Sequence, residues 1–103
     1  MAAGIRIVRI LVVEVAVGLT AAGLPEQIAA LDEAVESLRR DQPMWHVDMG
    51  RAATTRTVQI RLQARDVDEA MQIVKLEVDR LLKLSSLAPP PELRWARPRQ
   101  VRL

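Results

Sequence analysis

The chain has 103 residues, half of them hydrophobic, which is enough for one domain, residues 1–103, with a core of its own. It contains no cysteine, which excludes disulfides, thiolate nucleophiles and iron–sulfur clusters and is typical of a cytoplasmic protein. The formal net charge is +2, and residues 92–103 carry four arginines and one glutamate, so the body lacks the basic surface typical of nucleic-acid binding.

The N-terminal segment is rich in β-branched residues from Ile5 to Val17, which predicts a first strand. Arg6 and Arg9 before an apolar run also resemble a signal peptide. Glu14 in the middle of that run argues against this reading, and the run is shorter than the ~20 residues that span a bilayer. We therefore expect no membrane association.

The remaining pattern predicts, in chain order, a helix, two strands, a second helix and a last strand. Pro25 suits the first turn of the first helix, and its apolar residues recur at helical spacing. Alternation over residues 44–49 and 57–65 predicts two strands, and Asp66 begins a capping-box spacing before the second helix. Residues 92–97 are predicted to form a short strand, and residues 98–103 a basic C-terminal tail.

This βαββαβ order predicts an α+β fold, a two-layer ferredoxin-like sandwich with two helices on one face of a four-stranded antiparallel sheet. The first and third strands are then central. The second and third strands form a hairpin around Ala53-Thr54 with a four-residue connection, because the turn lacks Gly and Asn. In this register apolar residues face apolar ones and polar residues face polar ones: Trp45–Leu62, Val47–Ile60, Met49–Val58, His46–Arg61 and Asp48–Gln59.

The first strand carries large aliphatic residues at both odd and even positions. If the odd positions meet the helices, Val8, Ile10 and Val12 face outward; with the parity reversed, Ile7, Leu11, Val13 and Val15 do. Burying each is worth about 1.5–3 kcal/mol, and an uncovered patch of this kind is unusual in a monomer. We therefore expect a homo-oligomer, with a dimer first, that uses Val8, Ile10 and Val12. The alternative is that the tail or the loop at 84–92 covers them.

Two polar groups are candidate binding sites, and neither is predicted to be catalytic. The first is an outward cluster on the sheet, predicted to bind a ligand although solvated cross-strand pairing also explains it: His46, Asp48, Gln59 and Arg61. The second could hold phosphates or an acidic partner, or could be a solvated basic end: Arg94, Arg97, Arg99 and Arg102. The four glycines fit no nucleotide-binding spacing, and we expect no cofactor and no metal.

Three functions follow as hypotheses. The first is a non-catalytic, oligomerising α+β module that binds a small ligand or another protein through the open sheet face. The second is a small dimeric, α+β-barrel-like enzyme whose interface encloses a pocket around His46 and Arg61. The third is an accessory nucleic-acid binder that uses the basic tail; stacking of bases on the sheet is disfavoured because Phe and Tyr are absent.

Overall fold

The computed structural model of the chain describes residues 9–102. It contains two helices and five strands in the following order: β1 Leu11–Thr20, α1 Pro25–Asp41, β2 His46–Ala52, β3 Thr55–Ala64, α2 Val67–Leu84, β4 Glu92–Trp95 and β5 Arg99–Val101. The predicted α+β class is confirmed. The predicted start of the first strand at Ile5 lies outside the described residues, and Arg9 and Ile10 precede the strand.

The strands form one antiparallel sheet in the order β2-β3-β1-β4, with β5 also paired to β1. The central position of β1 and β3 is confirmed. The predicted βαββαβ order is not matched, because a fifth strand follows β4 and the predicted tail at 98–103 contributes it. Pro98 separates β4 from β5, since proline has no N–H for the ladder. The two short strands therefore lie one after the other along the same edge of β1, which β3 pairs on its other side.

The predicted register of the β2–β3 hairpin is confirmed, with His46 opposite Arg61 and Asp48 opposite Gln59. The predicted four-residue connection is wrong. The ladder continues to Ala52 opposite Thr55, so the connection is the two-residue turn Ala53-Thr54. Ala53 adopts a φ of 50°, a left-handed conformation that strains a residue with a side chain.

The core lies between the helices and one face of the sheet. The odd positions of β1 meet the helices, because Val13, Val15, Val17 and Leu19 are all buried. They pack with alternate residues of β3 and with one stripe of each helix: Val58, Ile60, Leu62, Leu31, Val35, Leu38, Ala70, Val74, Val78 and Leu81. The helix layer therefore leaves the even positions of β1 on the opposite, open face of the sheet.

One charged pair lies between α1 and the sheet. The Arg56 side chain is 7% exposed and its Nε lies 2.6 Å from Asp32 Oδ1 on α1. Its Nη1 also donates to the carbonyl oxygens of Ala53 and Thr55. This arginine therefore connects the first helix to the β2–β3 turn.

Candidate functional site: the open sheet face

The open face carries small and polar side chains along the centre of the sheet. Register places Glu14, Ala16 and Gly18 of β1 on this face, opposite Arg61, Gln59 and Thr57 of β3. Within β1, Val12 is the large aliphatic residue on this side, opposite Val101 of β5. Of the other two predicted interface residues, Ile10 is exposed just before the strand, and Val8 lies outside the described residues. The apolar strip on this face is therefore confined to the end of the sheet where β1 begins.

A row of charged residues crosses three neighbouring strands of the open face. Arg61 Nε lies 3.1 Å from Glu14 Oε2, and Arg99 donates to Glu14 Oε1 from Nε at 3.1 Å and from Nη2 at 3.0 Å. The Glu14 side chain is 8% exposed, whereas Arg61 and Arg99 are 53% and 69% exposed. One buried carboxylate thus orients two arginines whose outer surfaces remain open to solvent.

The two arginines also determine the ionisation of Glu14. Hydrogen bonds from Arg99, and secondarily from Arg61, favour the carboxylate more than burial opposes it, so the pKa of Glu14 falls below its usual 4.5. Glu14 is therefore negative at neutral pH. Together with Arg61 and Arg99 it leaves one net positive charge in the row.

The predicted ligand-binding cluster is brought together on the open face. His46 lies opposite Arg61 and Asp48 opposite Gln59, and His46 Nε2 is 3.2 Å from Asp48 Oδ2. The His46 side chain is 68% exposed, so in the single chain the imidazole lies at the surface. Residues 9–102 do not enclose His46 in a water-poor pocket of the kind that acid–base catalysis requires.

The four C-terminal arginines, predicted as an anion-binding group, lie at different places along the edge of the sheet. Arg99 binds Glu14, and Arg94 lies opposite Gly18 on the open face. Arg97 is exposed between β4 and β5, and Arg102 is exposed just after β5. These side chains are spread along the sheet edge because β4 and β5 follow one another there and are separated at Pro98.

A shallow depression lies at the β2 side of the open face. Its polar wall is formed by His46, Arg61 and Gln63, and its apolar wall by Val12, Met44, Trp45 and Leu62. Met44 is 89% exposed, which is high for a large apolar side chain. The depression therefore places a cation beside apolar surface.

Neither a metal site nor a membrane-spanning helix is found in the described part of the chain. Residues 9–102 contain no group of three or more metal-ligating side chains of the His, Cys, Asp or Glu type. No helix in the same range is long and apolar enough to cross a bilayer.

Comparison with known proteins gives one structural likeness. No protein family model matches the chain, and neither does any curated protein. Among solved structures the chain is similar to one described as "De novo designed protein Foldit4", with a TM-score of 0.46 and 18% identity over 91% of this chain and 100% of that one. A likeness at this level indicates nothing about function. Function is therefore inferred from the geometry of the open face.

Sequence reasoning missed two charged groups. The sequence pattern does not predict that Glu14 pairs with Arg99 of the predicted basic tail. It also does not predict that Asp32 of α1 binds Arg56. For Glu14, the available signal was a charged residue within an otherwise apolar strand. For Asp32, it was a charged residue on α1 next to the buried Leu31.

Proposed function

We propose that the chain is a non-catalytic α+β module that forms a homodimer through its open sheet face. The observation that carries the proposal is the balance of charge on that face. Its strand positions bear three arginines, Arg61, Arg94 and Arg99, and three carboxylates, Glu14, Asp48 and Glu92. A surface with equal numbers of both signs is suited to a second copy of itself, whereas nucleic acid would favour an excess of cations.

The shape of the open face also supports a second sheet as the covering surface. Its central strand β1 bears Ala16 and Gly18, which are small, and two packed sheets lie about 10 Å apart. A Cβ built on Gly18 meets only Arg94, at 3.8 Å, within the described residues. Small central side chains let the two sheets approach, and the longer charged side chains around them supply complementary contacts.

The apolar end of the face adds a hydrophobic contribution. Val12 and Val101 face each other across β1 and β5, and Ile10 precedes them with most of its surface exposed. Covering them against a second copy is worth about 1.5–3 kcal/mol for each side chain that becomes fully buried. This strip is a smaller source of affinity than the sequence pattern predicted, so polar contacts carry more of the proposed interface.

We further propose that the sheet is a ferredoxin-like sandwich extended by β5. Support comes from the strand order, with β1 and β3 at the centre and β2 and β4 at the edges, and from the packing of both helices on one face. In this interpretation β5 continues the edge that β4 begins, and it adds Arg99 to the open face.

The dimer is tested by light scattering coupled to size-exclusion chromatography over a hundredfold range of protein concentration. We expect twice the chain mass for the natural chain and a monomer for Ala16→Arg, which places a long charged side chain at the centre of the open face. The matched control is Leu76→Arg, on the exposed surface of α2, which is expected to remain a dimer. A natural chain that stays monomeric at every concentration overturns the proposal.

A further inference from the structure

We propose that the depression at the β2 side of the open face binds a small organic monocarboxylate, with its carboxylate on Arg61 and its alkyl chain on Val12, Met44 and Trp45. The inference deepens the proposed function by naming a ligand class for the open face. All of these residues belong to one chain, so the depression is complete in the monomer. Because Arg61 also lies on the face proposed for the dimer, the ligand and a second copy compete for it, and binding is measured on the monomeric Ala16→Arg variant as well as on the natural chain.

The polar end of the proposed site is preorganised. Arg61 donates to Glu14 through Nε, and this bond holds the guanidinium in place while its outer surface stays exposed. The two terminal amino groups have the planar geometry that matches a carboxylate in a bidentate pair. A ligand that arrives there meets an arginine that is already oriented, which lowers the entropy lost on binding.

The charge of the site favours a single negative charge on the ligand. Arg61 and Arg99 contribute two positive charges and Glu14 removes one, so the row presents one net positive charge beside the depression. Asp48, 3.2 Å from His46, adds a further carboxylate at the β2 edge and balances the charge of these side chains. A monocarboxylate therefore adds one uncompensated negative charge, whereas a phosphate dianion adds two.

The apolar lining of the depression explains why the proposed ligand has an alkyl chain as well as a carboxylate. Met44 is almost fully exposed next to the partly buried Trp45, and Val12 also lines the depression. A short alkyl chain laid between these side chains would remove apolar surface from water on both sides. Methionine also adapts its shape to different apolar ligands.

Titration of Trp45 fluorescence with sodium octanoate tests the proposal, in a Trp95→Phe background so that Trp45 is the only indole. We expect a saturable change in emission with octanoate. We expect binding at least tenfold weaker with octanol, which keeps the chain but loses the charge. Inorganic phosphate, at the concentrations that saturate with octanoate, is expected neither to change the emission nor to displace octanoate.

Variants separate the two ends of the site. Arg61→Gln is expected to weaken octanoate binding at least tenfold. The matched control is Arg65→Gln, since Arg65 is an exposed arginine just after β3 that pairs with Glu69. We expect this control to leave the affinity for octanoate within twofold. Met44→Ala is expected to weaken binding about threefold to tenfold. Because Met44 is exposed, this variant tests the site without threatening the fold.

Three results would overturn the assignment: no saturable response to octanoate, equal binding of octanol and octanoate, or displacement of octanoate by phosphate at similar concentrations. Unchanged affinity in both Arg61→Gln and Met44→Ala would also do so. Light scattering on the same samples separates this failure from that of the dimer. A natural chain that is monomeric and binds octanoate contradicts only the dimer. Absence of octanoate binding to the monomeric Ala16→Arg variant, whose open face is uncovered, contradicts only the ligand site.

Discussion

Replacement of the buried carboxylate, Glu14→Gln, is expected to lower the free energy of unfolding at pH 7 by about 1–2 kcal/mol. The carboxylate accepts three hydrogen bonds of 3.0–3.1 Å from Arg61 and Arg99, and a bond to a charged group is worth about 1.5–3 kcal/mol. The sum is reduced because both arginines expose more than half of their side-chain surface and recover hydration when the partner charge is lost. Glutamine also keeps the shape and one acceptor oxygen.

The effect of this substitution depends on pH in a defined direction. Arg99, and after it Arg61, lower the pKa of Glu14 in the folded chain below the value of 4.5 expected when the chain is unfolded. The contribution to stability is therefore fully present above that value and is lost as the pH falls through the lowered folded pKa. Since glutamine does not titrate, the difference between the natural chain and the variant narrows in acid.

Urea unfolding followed by tryptophan fluorescence and circular dichroism measures the effect, at pH 7 and pH 3 and at one fixed protein concentration because association shifts apparent stability. Glu92→Gln is the control, since Glu92 is an exposed carboxylate on the same face, and we expect a change of less than about 0.5 kcal/mol. Equal stability of Glu14→Gln and the natural chain at pH 7, or a difference unchanged at pH 3, would refute the reasoning.

Three further substitutions test the packing that positions the open face. Arg56→Met is expected to lower the free energy of unfolding by about 2–4 kcal/mol, because it leaves Asp32 without its buried partner; a urea titration that finds it as stable as the natural chain contradicts this. Ala53→Gly is expected to raise stability by about 0.5–1 kcal/mol by relieving the positive φ, and an unchanged or lower thermal midpoint would count against the strain. Asp66→Ala removes the cap that accepts from the Glu69 N–H and is expected to lower the free energy of unfolding by about 1 kcal/mol. Urea unfolding followed by circular dichroism measures this change, and an unchanged unfolding midpoint would contradict it.

Local pattern correctly predicted the two helices, the first four strands and the register of the β2–β3 hairpin. Alternation in residues 57–65 has a period of two, and a shift of one residue would turn every side chain to the wrong face. The pairing of His46 with Arg61 therefore follows from matching apolar with apolar residues, which places the two side chains on one face. The turn was predicted wrongly, because Ala53 adopts a conformation that its residue type disfavours and the long ladder on either side holds it there.

The sequence by itself determined which residues alternate, where the helices begin and that charge gathers near the C-terminus, because these properties arise from neighbours along the chain. Tertiary structure decided that the even side of β1 is open and that Arg99 reaches Glu14, which is 85 residues away. That contact requires β5 to return to the edge of β1 beyond Pro98, and a short segment with little strand signal gains its pairing only from the strand already in place. The same dependence on distant partners explains why Arg99, predicted to belong to a basic tail, lies in the charged row of the open face.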